Sequence, residues 1–311
     1  MAIKADHSEM QLAPETVNPI AVPPTNEFTA RFAEHWMDEY KAAGRMDKPH
    51  AIEGSRIRGS WAGKCARQIA YYVNGEEVTN ESSIGGFWRM EQGTIAHEYW
   101  QGCAESLLGD DCTVEAKANF MGTDGSLHTD LLVESEKYGK IAFELKTING
   151  FGFKVAVGLM KKGEEGPKHD HFLQGALGAY AHEADHLCIA YISQENVNPK
   201  WADDAGLASE FCAEWMYPRE TFAPYAEAEI KRFQAILDWV DAGTLPPRSI
   251  PGLMPKGARI TDIGKSMWTL KDETGAITDT GTLWGGKYCM YCPFTEKCVA
   301  DFVEEAFKED S

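Results

Sequence analysis

The stretch SLHTDLLVESEKYGKIAFELKTI, residues Ser126–Ile148, decides how this chain folds. Side chains of a strand alternate between two faces. In the first half, Leu131 and Val133 oppose Asp130. In the second half, Ile141, Phe143 and Leu145 share one face, and Glu144 and Lys146 share the other. The pattern predicts two successive strands joined by a short turn near Glu136–Gly139, with CTVEAKANF just upstream as a third. Charged groups emerging from so apolar a strand are costly unless they are paired or bound to metal. If the two strands pair, the carboxylates of Asp130 and Glu144 converge on one divalent cation, and Mg²⁺ or Mn²⁺ suits such hard oxygen ligands. One or two such ions can supply the nucleophile, the charge neutralisation and the leaving-group stabilisation that phosphodiester hydrolysis needs. Lys146 would orient the attacking water or stabilise the transition state. Taken alone, Asp…Glu-x-Lys reads equally well as a salt bridge on a strand face.

Working outward, the apolar spacing predicts a helix over residues 28–43. A second runs from Cys65 to Val73, stopped by Asn74-Gly75. A long third covers about Gly86–Leu108 and is closed by Gly109. The third carries GTIAHEYW, in which Gly93 permits close packing and His97 offers an imidazole; alone, such a histidine is more often a hydrogen-bonded core residue. Downstream, a helix is expected around Lys154–Lys161, then a Gly/Lys-rich loop to Lys168. A helix over residues 170–184 carries Gln174, whose amide would bind a phosphate or a ligand water. A strand at His186–Ser193, another over 211–217 and a helix over 219–241 follow. The Gly-, Pro- and Thr-rich span 243–286 holds one hairpin, MWTLKDETGAITDTG.

The chain has 311 residues and a formal net charge of −18. That balance argues against a surface coated in cations for sequence-blind nucleic-acid binding, though a local basic groove remains compatible with it. No apolar run is long enough to cross a membrane. The N-terminal residues 1–27 are polar and Pro-bearing, without a signal-peptide core, and read as a flexible arm. The expected location is the cytoplasm, or a host's cytoplasm if the gene belongs to a phage.

Eight cysteines in such a compartment read as thiols, and clustered thiols suggest metal. Cys289, Cys292 and Cys298 form C-x₂-C-x₅-C, with Pro293 turning the loop, and supply most of a four-coordinate site. Cys65 is the choice for the fourth ligand. Spacing alone leaves zinc and iron–sulfur both open. Cys103, Cys112, Cys188 and Cys212 sit in apolar patterns and read as ordinary buried thiols.

Taken in order, Cys65, Gly93-x-x-x-His97, Asp130, Glu144-x-Lys146, Gln174 and the Cys289, Cys292, Cys298 cluster resemble the RecB-like branch of the PD-(D/E)XK nucleases, and within it the iron–sulfur group. The likeness runs from about Ile57 to Cys298. It implies an α/β fold with a restriction-endonuclease-like core: a central mixed sheet flanked by helices, over about residues 84–241 of a domain spanning 28–311. It also implies an iron–sulfur subdomain built from residues 55–75 and 285–305, with a 4Fe-4S cluster on Cys65, Cys289, Cys292 and Cys298. Mg²⁺ or Mn²⁺ would be held by His97, Asp130, Glu144 and the backbone carbonyl of Leu145. Two departures stand out. The family often has Tyr four residues after the Gln, where this chain has Gly178, with Tyr180 two residues on. The small residues usual before the Asp are His128 and Thr129, and His128 would share Asp130's face.

The expected activity is a metal-dependent DNA exonuclease with a preference for single-stranded ends, acting in recombination, repair or phage DNA processing, with recombination or replication proteins as further partners. The rivals are a non-catalytic DNA-end-binding or assembly module, and an endonuclease. Arg56, Arg58, Lys64, Arg67 and Tyr180 are candidate DNA contacts. Trp61, Trp88, Trp100 and Tyr288 are candidates for base stacking.

Overall fold

The computed structural model describes residues 27–43, 54–80, 82–160, 165–204, 206–207, 209–246, 259–262, 267–271, 274, 276–282, 289 and 291–308. The arm expected over residues 1–27 falls outside them except for Glu27, as does Tyr288. The chain divides into two units, Met1–Lys48 and Pro49–Ser311. In the first, the described part is helix α1 (Glu27–Ala42), which begins and ends within a residue of the span its apolar spacing predicts. Side chains four apart meet on its surface: Trp36 and Tyr40 ring centroids lie 5.2 Å apart, and His35 and Glu39 3.3 Å apart.

The second unit runs β1 (Ile57–Arg58), α2 (Ala66–Val73), α3 (Ile84–Leu108), β2 (Cys112–Asn119), β3 (Gly125–Ser135), β4 (Gly139–Ile148), α4 (Gly150–Ala156), α5 (His169–Ala181), β5 (His186–Ser193), α6 (Pro199–Asp204), β6 (Cys212–Pro218) and α7 (Arg219–Asp241). Then come β7 (Arg259–Asp262), β8 (Met267–Lys271) and β9 (Ile277–Thr282), a separate antiparallel sheet, and helix α8 (Thr295–Lys308). The main sheet is six-stranded and mixed, with the order β1-β3-β4-β5-β6 and β2 paired to β3. β3 and β4 are antiparallel, whereas β4 and β5 are parallel from Ile141↔His186 to Ile148↔Ser193. A parallel pair needs a crossover of a dozen or more residues, and α4 and α5 lie within it.

Helices cover both faces. On one, Ala142, Leu187, Ile189 and Tyr191 of the sheet pack with Leu173, Ala176 and Leu177 of α5 and with Phe222, Phe233 and Leu237 of α7. On the other, Leu131, Val133 and Leu145 meet Trp100 and Ala104 of α3. Each fully buried Leu, Ile or Phe contributes about 1.5–3 kcal/mol, so the first layer dominates stability. α5 lies close because small residues line it. A Cβ at Gly175 would stand 2.8 Å from Leu187 Cδ1 and 3.1 Å from Glu144 Cβ, and one at Gly178 would stand 2.8 Å from Thr129 Oγ1.

One helix lies earlier than expected. The spacing predicts Lys154–Lys161, but α4 runs from Gly150 to Ala156. Asn149 caps it by accepting from the Gly152 amide at 2.8 Å, and Gly158, at φ +77°, ends it. Its glycines, poor helix formers, hide it in the sequence. They are needed because a Cβ at Gly150 would run into Glu195, and one at Gly152 into Ile148. Strand β1, helix α6 and strand β7 are additions to the expected elements.

Candidate active site

The site lies where the sheet forks. β3 pairs with β2 along one edge. Its other edge carries β1 at Gly125 and Ser126, and β4 from Leu131 onward. Asp130 stands at the split, one residue before the first β3–β4 pair, Leu131↔Phe143. Its Oδ2 accepts from the Leu145 amide at 2.6 Å, so a side chain completes what the strand ladder would otherwise supply. The N–H and C=O of one residue leave an extended strand by the same edge, so the Leu145 carbonyl also faces the fork.

Glu144 and Lys146 do share a face of β4. Glu144 is 3 % exposed, and Lys146 Nζ lies 2.5 Å from its Oε1. The buried carboxylate is thus satisfied by the ammonium of Lys146. Burial pushes the Glu144 carboxyl above its ordinary range although Lys146 pulls it down. For Lys146, burial lowers the ammonium's pKa, but Glu144 and Asp130 outweigh it and the net shift is upward. Lys146 Nζ also donates to Gln174 Oε1 at 3.1 Å, which brings α5 into the site.

From the opposite side α3 delivers His97, whose Nδ1 stands 3.5 Å from Asp130 Oδ1. Burial lowers its pKa, the hydrogen bond and charge of Asp130 raise it, and the net is upward. Asp130, Glu144, Lys146, His97 and Gln174, scattered over 78 positions, therefore form one connected group.

This donor set suits a hard divalent cation: two carboxylates, an imidazole and a backbone oxygen around a fork. The side chains stand charge-paired with one another. Among the described residues, no three His, Cys, Asp or Glu side chains are already gathered as ligands of a metal ion.

A cleft of about 440 Å³ opens beside the group, lined by Arg89, Gly93, His97, Lys146, Lys168 and Gln194 among others. The negative balance of the whole chain is thus reversed locally. Arg89, Lys168 and Gln194 carry no motif and were not among the residues singled out from the sequence; the position of Arg89 two turns before His97 on α3 was the available signal. Lys64 is exposed as a residue, yet desolvation lowers its ammonium's pKa, and it feels the charges of Asp170, Lys146, Arg58 and Cys292.

Several of the residues expected to contact nucleic acid have internal partners. Arg67 is 5 % exposed and donates from Nε to the Pro246 carbonyl at 3.1 Å. Arg56 pairs with Asp241 at 2.6 Å. Arg58 is half-buried, with its guanidinium 5.4 Å from the Trp61 ring centroid. Tyr180 donates to Glu227 at 3.4 Å and lies under Arg219. Trp61 is buried and stacks on Tyr72 at 5.0 Å, and Trp100 packs against the α3-facing core. Trp88 remains exposed. His128 pairs with Glu115 at 3.3 Å. A tyrosine at position 178 is excluded by Thr129, which accounts for the glycine there.

Cys65 stands at the N-cap of α2. Burial, with Cys292, Cys65 and Cys298 adding to it, pushes the Cys289 thiol up to about 12, and among the described residues the four thiols are not gathered as ligands of a metal ion. The C-terminal segment docks on α2 through Phe294, fully buried against Tyr71 and Tyr72, and through the Tyr71 hydroxyl, which donates to Asp301 at 2.6 Å. Asn80 binds the Cys292 carbonyl at 3.0 Å. Cys188 is buried as expected, but Cys103 is exposed.

No family model matches the chain, and no curated protein matches it. Among solved structures, it is similar to an alkaline exonuclease from Laribacter hongkongensis, at 15 % identity and a TM-score of 0.40, over 61 % of this chain and 89 % of that one. A complex of that exonuclease with dAMP gives 14 % identity and a TM-score of 0.40, over 60 % and 88 %. A phage-related exonuclease from Haemophilus somnus gives 11 % and 0.37, over 57 % and 81 %.

Proposed function

We propose that this chain is a metal-dependent DNA exonuclease that hydrolyses phosphodiester bonds with a preference for single-stranded ends. The observation that carries the reading is the fork. Asp130 and the buried pair Glu144–Lys146 meet there, with His97 and Gln174 around them, beside a cleft lined by cations. A buried carboxylate–ammonium pair opening on a cleft is expensive as a purely structural device, and a cation-binding role accounts for its retention.

In this reading His97, Asp130, Glu144 and the Leu145 carbonyl hold Mg²⁺ or Mn²⁺, which supplies Lewis-acid activation and charge neutralisation when bound. Lys146 is held by Glu144 and Gln174 so that its ammonium faces the cleft where phosphate charge develops. Arg89 and Lys168 draw the phosphate backbone into the cleft against the chain's overall negative charge. His97 holds Asp130 from the helix side and the Leu145 amide holds it from the strand side, so the carboxylate is oriented before substrate arrives.

Cys65, Cys289, Cys292 and Cys298 are assigned a 4Fe-4S cluster that pins the C-terminal segment to α2. The packing of Phe294 on Tyr71 and Tyr72, which brings the C-terminal cysteine segment onto the helix that Cys65 caps, supports this reading. Anaerobically purified protein should be brown with iron and sulfide present; colourless protein containing zinc would replace the cluster with a single ion.

The deciding experiment mixes the protein with Mn²⁺ and end-labelled linear or circular single-stranded DNA. Degradation of linear DNA alone supports the proposal. Cutting of circles makes the protein an endonuclease. Tight binding without cleavage makes it a DNA-end-binding or assembly module.

A further inference from the structure

Helix α3 is 25 residues long, and Gln101 is its one buried residue, at 7 % exposure. A buried amide must find partners. Its Nε2 donates to Glu115 Oε1 at 2.7 Å and to the Asp130 carbonyl at 3.2 Å. Those two residues mark the same irregularity. The β2–β3 register runs from Val114↔Leu131 to Ala116↔Thr129 and skips Glu115 and Asp130. Glu115 sits there at φ +47°, in the left-handed region that a residue with a side chain rarely adopts, and its other carboxylate oxygen lies 3.3 Å from His128 Nδ1. Gln101 also follows His97 by four residues, so both project from one face of α3 toward the fork.

We propose that Gln101, acting through Glu115, is a positioning residue for Asp130. It clamps the backbone at the point where the strand leaves both ladders, and so aims the Asp130 carboxylate at the fork. The consequence for cation affinity rests on the metal-nuclease reading; the consequence for Asp130 itself does not.

Two variants test it. Gln101→Leu removes the clamp. Glu115→Gly removes the carboxylate while suiting the positive φ, so strain is relieved rather than added. The metal-free readout is amide hydrogen exchange at Leu145, whose N–H is held by Asp130 Oδ2. In both variants Leu145 should exchange about fivefold faster or more, in line with weakening one hydrogen bond. Ile141 and Ala142 of the same strand should keep their rates, and in Glu115→Gly the Tm should stay level or rise. Titration calorimetry with Mn²⁺ alone should show about 10–100-fold weaker binding, the usual effect of losing an outer-shell partner. Unchanged Leu145 exchange in either variant overturns the proposal, as does a uniform increase along β4, which is what a merely structural role would give. Altered Leu145 exchange in a protein whose unmodified form binds no Mn²⁺ would sink the metal reading and leave the positioning of Asp130 standing.

Discussion

Replacing Lys146 with methionine should expose how far its ammonium holds down the carboxyl of Glu144 against burial. The substitution retains the apolar stem and deletes the ammonium 2.5 Å from a carboxylate that is only 3 % exposed. Removing one partner of such a pair costs about 3–5 kcal/mol, because the remaining charge is stranded. The protein can escape by protonating Glu144. Each unit by which a folded-state pKa rises corresponds to about 1.4 kcal/mol, so that cost would lift the carboxyl by up to roughly two to four units beyond the position to which burial has already raised it. The sign follows. A raised carboxylate leaves stability intact below its unfolded pKa and removes it progressively as pH climbs toward the folded value. In urea denaturation with EDTA, Lys146→Met should therefore lose about 3–5 kcal/mol at pH 8 but only about 1 kcal/mol at pH 5. Adding Glu144→Gln should recover most of the loss at pH 8. An equal loss at both pH values, or no recovery in the double variant, would refute the reasoning. Nuclease activity of Lys146→Met should fall about 10²–10³-fold, as when one preorganised charge-stabilising donor is removed.

Asp130→Asn should abolish Mn²⁺-dependent cleavage while leaving the far-ultraviolet circular dichroism unchanged, since the amide still accepts from Leu145 but no longer offers a charged ligand. Gly175→Ala should cost about 1–3 kcal/mol by urea titration, because the new methyl is forced against Leu187 and Glu144, and cleavage should drop as Gln174 moves off Lys146. His171 is pushed down to about 4 by burial, with Nδ1 on the Tyr191 hydroxyl at 2.8 Å. The unfolded chain takes up its proton first, so stability should fall between about pH 6.5 and pH 4, by up to roughly 3 kcal/mol; His171→Gln should flatten that acid limb. Cys292→Ala should lower the yield of soluble protein and abolish the brown colour, because cluster binding and folding are linked.

Much of the fold was legible in periodicity. The two-residue alternation in Ser126–Ile148 located β3 and β4, and α7 and β5 coincide with their expected spans because long amphipathic or apolar runs bounded by turn residues leave few alternatives. The alternation also put Glu144 and Lys146 on one face. Where local signals conflict with packing the sequence misleads, as at α4, whose glycines read as loop but serve close contacts with Glu195 and Ile148.

The sequence by itself nominated the candidate side chains: Asp130, Glu144, Lys146, His97, Gln174, Cys65 and the cluster Cys289, Cys292 and Cys298 are chemically conspicuous, and strand alternation is a local property. Only the tertiary structure decided that Asp130 stands at a fork with its carboxylate on the Leu145 amide, that Arg67 and Trp61 belong to the core, and that Arg89 and Lys168 line the cleft. The physical reason is that periodicity assigns a residue to a face of its own element. Which face meets which, where a ladder breaks, and which cation is used up by an internal partner depend on contacts between residues far apart in the chain.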